Sequence, residues 1–132
     1  MAGSMSICNE YFMKNMKRIT KKELTQKIEN HKKWLNNEEG GEIANFSEIN
    51  LELEDLSNID LSNANFEGAN LRWTNFENSR LENTNFKKSF LLKSNLKGIF
   101  AKNADFSEAK LEKASLVNSN LGNTNFKSAY LF

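Results

Sequence analysis

The chain has little of what catalysis and metal binding usually draw on. It contains one cysteine and one histidine in 132 residues, so no cysteine and histidine metal site can be assembled from it. Cys8 has no partner for an internal disulfide, which fits a reducing cytoplasm. No apolar run is long enough to span a membrane, and the opening MAGSMSICNEYFMKNMKRI lacks the apolar block of a signal peptide. The MAGS ahead of Met5 reads as an expression scar. There is no glycine-rich phosphate loop and no nucleophile elbow. These absences lead to the expectation of one cytoplasmic domain plus a cap, not an enzyme, with no cofactor, no metal, no membrane contact and no small-molecule substrate.

What the chain does have is a period. In ANFEGANLRWTNFENSRLENTNF, Phe66, Leu71, Phe76, Leu81 and Phe86 recur every fifth residue. A helix turns about 100° per residue, so this spacing scatters the side chains around its barrel, and in one strand a step of five alternates faces. The pattern makes sense if the backbone turns after each pentad and every apolar side chain points to a common axis, as in a solenoid. Eighteen such centres run from Phe46 to Leu131 without insertion, and only Ala101 is neither Leu nor Phe. Small residues such as Ala64, Thr74 and Ser79 prevail two positions earlier. Asn or Asp prevails directly before the centre, where a short polar side chain can bond the local backbone.

The pentads ANFEG, ANLRW, TNFEN, ADFSE and SNLGN resemble the A(D/N)LXX motif of the pentapeptide-repeat family, and the likeness covers residues 44–132. It implies an all-β solenoid, a right-handed quadrilateral β-helix with four pentads per turn. A second period supports four sides. Phe46, Phe66, Phe86, Phe106 and Phe126 are twenty residues apart, as are Leu51, Leu71, Leu91, Leu111 and Leu131. About four and a half coils, stacked ~4.8 Å apart, give a rod about 20 Å tall. Beside Ala101, Ile99 replaces the usual small residue, a swap that conserves core volume.

The rod needs covered ends. Residues 1–19 read as a flexible or partly ordered tail and residues 20–43 as a capping helix and turn. Thr20 and Glu23 form a capping box, Gly40 and Gly41 supply a stop, and Leu24, Ile28, His31 and Leu35 share a face bordered by Trp34. His31 is expected to pack structurally. Residues 1–43 hold eight Lys or Arg against six Glu, a net of +2, while residues 44–71 contain six acidic residues and no Lys or Arg, so the two segments are complementary in charge. The other end, at Tyr130, Leu131 and Phe132, carries no comparable cover, and a two-fold homodimer closing both ends is expected there. The location of such an interface is also what gyrase-inhibiting relatives suggest.

That resemblance brings one activity with it, DNA mimicry directed at gyrase or topoisomerase, which needs negative charge along the rod. Residues 44–132 hold ten Lys or Arg against eleven Asp or Glu, and Arg72, Arg80, Lys87, Lys88, Lys93, Lys97 and Lys102 make the middle basic. The departure disfavours the mimic. Weak nucleic-acid binding through the basic middle is a further alternative, disfavoured because the charges spread over different faces without an aromatic row. Apolar residues in outward positions say more. Trp73, Phe90 and Leu92 fall on one face of adjacent coils with Leu53 in the Trp73 column, an expected apolar patch for an unknown protein partner. The reading is a non-catalytic protein-binding or scaffolding module.

Overall fold

The computed structural model describes residues 13–131. Parallel bridges join Asn45 to Asn65, Asn50 to Asn70, Asp55 to Asn75 and Asp60 to Arg80, and the same step of twenty recurs up to Lys110 and Tyr130. Four pentads therefore make one circuit of a β-solenoid. Each side is a short extended segment, and each corner is a turn closed by a bond such as Ile49 N to Phe46 O or Ala64 N to Leu61 O.

The ladder between circuits has a direction. In the pentad centred on Phe46, the N–H groups of Phe46 and Glu48 donate forward to Asn65 O and Glu67 O, while Ala44 O accepts from Asn65 N. Each pentad thus shows the next circuit two donors and one acceptor, and shows the previous circuit two acceptors and one donor. The lower edge of the first circuit is consequently rich in carbonyl groups.

At every corner the second residue after the centre has positive φ, from Glu48 (56°) through Asn78 (59°) to Ser128 (61°). Only glycine accepts this region without penalty, and Asn tolerates it best among the others. Nine of the seventeen such residues from Glu48 to Ser128 are accordingly Asn or Gly. Gly98 is needed twice over, because at φ 66° a Cβ would also lie 2.3 Å from Asn78 Oδ1. The Asn or Asp before each centre works locally, accepting the backbone N–H two residues on, as in Asn65 Oδ1 with Glu67 N at 2.9 Å and Asn85 Oδ1 with Lys87 N at 2.9 Å.

Inside, Phe46, Phe66, Phe86, Phe106 and Phe126 stack in one column with centroids 4.7–5.2 Å apart. Phe76 meets Phe66 and Phe86 edge-on from the opposite side. Leu51, Leu71 and Leu91 are fully buried and Leu111 nearly so, whereas Phe126 is only half-buried, in the last of the described circuits. Ile99 and Ala101 are both fully buried, so the large and small residues exchange places without opening the core. Several inward hydroxyls are used: Thr74, Ser79 and Thr84 donate to the carbonyl groups of Leu51, Leu56 and Leu61 one circuit below, whereas Ser89 Oγ and Ser94 Oγ have no such partner.

One long helix, α1 (Lys21–Leu35), covers the first circuit, opened by the Thr20–Glu23 capping box. It stops at Leu35 rather than at Gly40 and Gly41, because Asn36 caps it and Asn37 turns into the left-handed region at φ 56°. Leu24 and His31 are buried, while Ile28, Trp34 and Leu35 are half-buried. Cover also begins before residue 20. Arg18 bridges Asn50 in parallel, Asn50 N donates to Lys17 O at 2.9 Å, and Met13 and Ile19 are buried. The earlier part of the expected tail lies outside the described residues.

Truncating Phe86 to Ala is expected to destabilise the protein by about 3–5 kcal/mol. Asn85→Ala removes the turn bond from Lys87 N and the side-chain bonds to Asn65 and Glu67, all on the outward side, and should cost about 1–2 kcal/mol. Chemical denaturation of the two variants checks the assignment, and equal losses would refute the inward and outward positions.

Candidate interaction faces

The cap is built to match the carbonyl-rich edge. Lys27 Nζ donates to Asn45 O at 3.1 Å, Ile19 N to Asn50 O at 3.3 Å, and Arg18 to Glu52 O while also pairing with Glu54 at 2.8 Å. Glu54, which occupies an otherwise small inward position, is thereby neutralised. His31 serves the edge with both ring nitrogens. Ala44 N donates to Nδ1 at 2.9 Å, so Nδ1 carries no proton and the ring proton sits on Nε2, 2.9 Å from Ser62 O. Burial pushes the His31 pKa down; the Ser62 carbonyl and the Asp60 charge act in the opposite direction. Fully enclosed and stacked 5.7 Å from Trp34, this histidine has no open side for a substrate.

The outward residues divide by height. Residues 44–85 hold two Lys or Arg against eight Asp or Glu, a net of −6, and residues 86–131 hold eight Lys against three Asp or Glu, a net of +5. The ion pairs among the described residues all lie on the cap and the lower half: Lys17–Glu23, Arg18–Glu54, Arg72–Glu52, and Arg80 with Asp60 and Glu82. None of the eight upper lysines joins one. Summed over the rod the charges nearly cancel, and the polarity shows only when the circuits are taken separately.

Of the expected apolar patch, Leu53 and Trp73 are exposed at 70% and 52%, and Leu92 is half-buried. Phe90 does not belong to the exposed surface. It is only 8% exposed and lies 5.0 Å beneath the Lys110 ammonium, because the groove between two sides accepts its ring. That groove, ≈ 440 Å³, is lined by residues that include Lys88, Glu108 and Tyr130. Leu53 and Trp73 stand at corners with φ of 67° and 58°, where Asn or Gly costs least. Lys93 lies over the Trp73 ring at 4.6 Å. Sequence spacing did not disclose this backbone constraint, although the abundance of Asn and Gly two positions after the centres was its signal. At the upper end Tyr130 and Leu131 are exposed, Leu116, Leu121 and Phe126 are half-buried, and Phe132 lies outside the described residues. Among the described residues no cluster of three His, Cys, Asp or Glu could hold a metal, and no helix is long and apolar enough to cross a membrane.

Comparison with known proteins gives the class. The pentapeptide-repeat pattern matches in eight copies over residues 44–78, 64–100 and 104–131, and the chain belongs to the pentapeptide repeat family. Among solved structures it is similar to Rfr23, a pentapeptide repeat protein of the cyanobacterium Cyanothece 51142, at 33% identity and a TM-score of 0.66 over 68% of this chain and 62% of that one. A pentapeptide repeat protein of the Arabidopsis thaliana thylakoid lumen is 30% identical, with a TM-score of 0.53 over 61% of this chain and 59% of that one. The chain thus spans about three-fifths of the length of these relatives. QnrB1, a plasmid-mediated fluoroquinolone resistance protein, is 19% identical with a TM-score of 0.33, too distant to bear on function. No curated protein matches.

Two outcomes follow from this geometry. Folding holds His31 neutral with its pKa below the ordinary 6.5, so the unfolded chain binds the extra proton. The His31 contribution to stability is full above about pH 6.5 and is lost as the pH falls toward the folded value. Melting curves between about pH 7 and 5 should show this loss, and His31→Gln should remove that part of the pH dependence while lowering stability by ~1–3 kcal/mol through the unpaired Ala44 and Ser62 groups. Trp73→Asn relieves about 1–2 kcal/mol of corner strain against ~0.5–1 kcal/mol of lost cation–π contact. The variant should melt at or above the wild-type temperature.

Proposed function

We propose that this protein is a non-catalytic protein-binding or scaffolding module, built on a right-handed quadrilateral coil of about four and a half turns. The hand is supported by the general preference of parallel connections for right-handed crossovers. The observation that carries the reading is the exposure of Leu53 and Trp73 at corners where their side chains cost stability. Large apolar residues kept at such positions serve contacts outside the chain. The domain plan goes with it, a cap over residues 20–43 extended by the pairing of residues 17–19, and repeats from residue 44. A cytoplasmic location suits the single cysteine.

A second reading, self-association through the upper end, draws on half-buried Leu116, Leu121 and Phe126 and exposed Leu131. Like-charged upper halves would meet there, so this contact should strengthen with salt. DNA mimicry fits poorly, since only the lower half is acidic, and no inhibition is expected in a gyrase supercoiling assay.

The experiment that tests the module is affinity capture with wild type and Trp73→Asn, both checked by melting. A partner retained by wild type and lost by an equally stable Trp73→Asn supports the reading. Identical capture by both would remove the Trp73 corner as the binding site.

A further inference from the structure

We infer that the chain associates weakly with a second copy of itself, side by side and antiparallel, through the side that carries Glu77 and Lys97 and the corner that carries Trp73. The inference rests on the binding-module reading and names one partner for it.

The solenoid turns sequence into columns, with residues twenty apart stacked at about 4.8 Å. One corner column reads Leu53, Trp73, Lys93, Lys113, and the column at the other end of the adjoining side reads Ser57, Glu77, Lys97, Val117. Both change character at the same height, between the second and third circuits. Below it stand Leu53, Trp73 and Glu77 and above it three lysines, with Ser57 and Val117 as the uncharged ends of the second column.

A two-fold axis in the contact plane, perpendicular to the rod at that height, reverses the order of circuits and sets each column against itself. Trp73 then meets Lys93 of the second copy, and Glu77 meets Lys97 of the second copy, each contact occurring twice. Leu53 meets the aliphatic stem of Lys113, which can cover apolar surface while its ammonium stays in water. Trp73 already lies under Lys93 of its own chain at 4.6 Å, so across the axis that contact is exchanged and not added, whereas the charged pair is new. Glu77 and Lys97 join none of the ion pairs among the described residues. Val117 is 58% exposed on the same side. The net charges of −6 and +5 on the two halves orient the encounter over a longer range.

Such a contact is isologous and closes on itself, so it yields a dimer and not a fibre. It is also small. A side about 20 Å tall and one five-residue segment wide, ~16 Å, offers roughly 300 Å², well below the ~800 Å² per partner of a standard interface. Association is therefore concentration-dependent and weakened by salt.

The test is a charge exchange followed by sedimentation equilibrium at low and high salt. Lys97→Glu sets carboxylate against carboxylate across the axis, and Glu77→Lys sets ammonium against ammonium. Each variant alone should associate at least about tenfold more weakly than wild type. Mixed in equal amounts, the two restore both contacts and should form a heterodimer, which also shows that neither has merely unfolded. The inference is overturned if wild type stays monomeric at every concentration, if either variant alone dimerises like wild type, or if the mixture remains monomeric. It is equally overturned if Leu131→Asp dissociates a dimer that Lys97→Glu leaves intact, since the contact then lies at the upper end. Loss of self-association leaves the capture experiment with Trp73→Asn unaffected, so the two readings fail separately.

Discussion

The structure depends on one directional ladder. Because each pentad offers two N–H groups and one carbonyl forward, and two carbonyls and one N–H backward, the circuits can only stack head to tail and in a register of twenty residues. The same asymmetry dictates what can cover the first circuit. An edge rich in acceptors needs donors, and Arg18, Ile19, Lys27 and the Nε2 of His31 supply them. Its leftover N–H groups need acceptors, found in Lys17 O and in the Nδ1 of His31. The placing of Arg18, Lys27 and His31 against this edge is thus set by backbone polarity as well as by the acidic residues of the first circuit.

The ladder leaves each residue of the pentad a different freedom. The centre must be large and apolar, since each buried Leu or Phe contributes roughly 1.5–3 kcal/mol. The residue two before it is mostly small, with Ile49, Ile59 and Ile99 among the exceptions, and hydroxyls there such as those of Thr74 and Ser79 bond the circuit below. The residue just before the centre closes a local turn, while the corner residue must accept positive φ. The position directly after the centre is the least constrained. Departures at the corner therefore carry information that an exposed residue on an ordinary helix would not. Trp73 and Leu53 are departures of this kind, and Phe90, which settles into a groove under Lys110, is not.

Charge shows how a one-dimensional fold can separate functions by height. The outward positions contribute little to the core, so acidic residues can collect below and lysines above without disturbing the stack. The exposed pairs Lys17–Glu23 and Arg80–Asp60 are worth little to stability, and the upper lysines join no ion pair among the described residues. A rod with opposite poles presents different surfaces to different partners, and a composition near neutrality conceals this.

The sequence alone determined the solenoid, its register and its interior, because these follow from which residues are apolar at periods of five and twenty; Phe46, Phe66 and Phe86 were legible as a column before any coordinates. The helix and its N-terminal box were legible too, since a Thr and a Glu three residues apart interact locally. Tertiary structure decided what depends on neighbours distant in the chain. Only the fold brings His31 between Ala44 and Ser62, pairs Lys17–Ile19 with Asn50, and hides Phe90 while leaving Trp73 in water. Periodicity records where a side chain points, whereas exposure and pairing depend on what stands one circuit away, and that is a property of the stack.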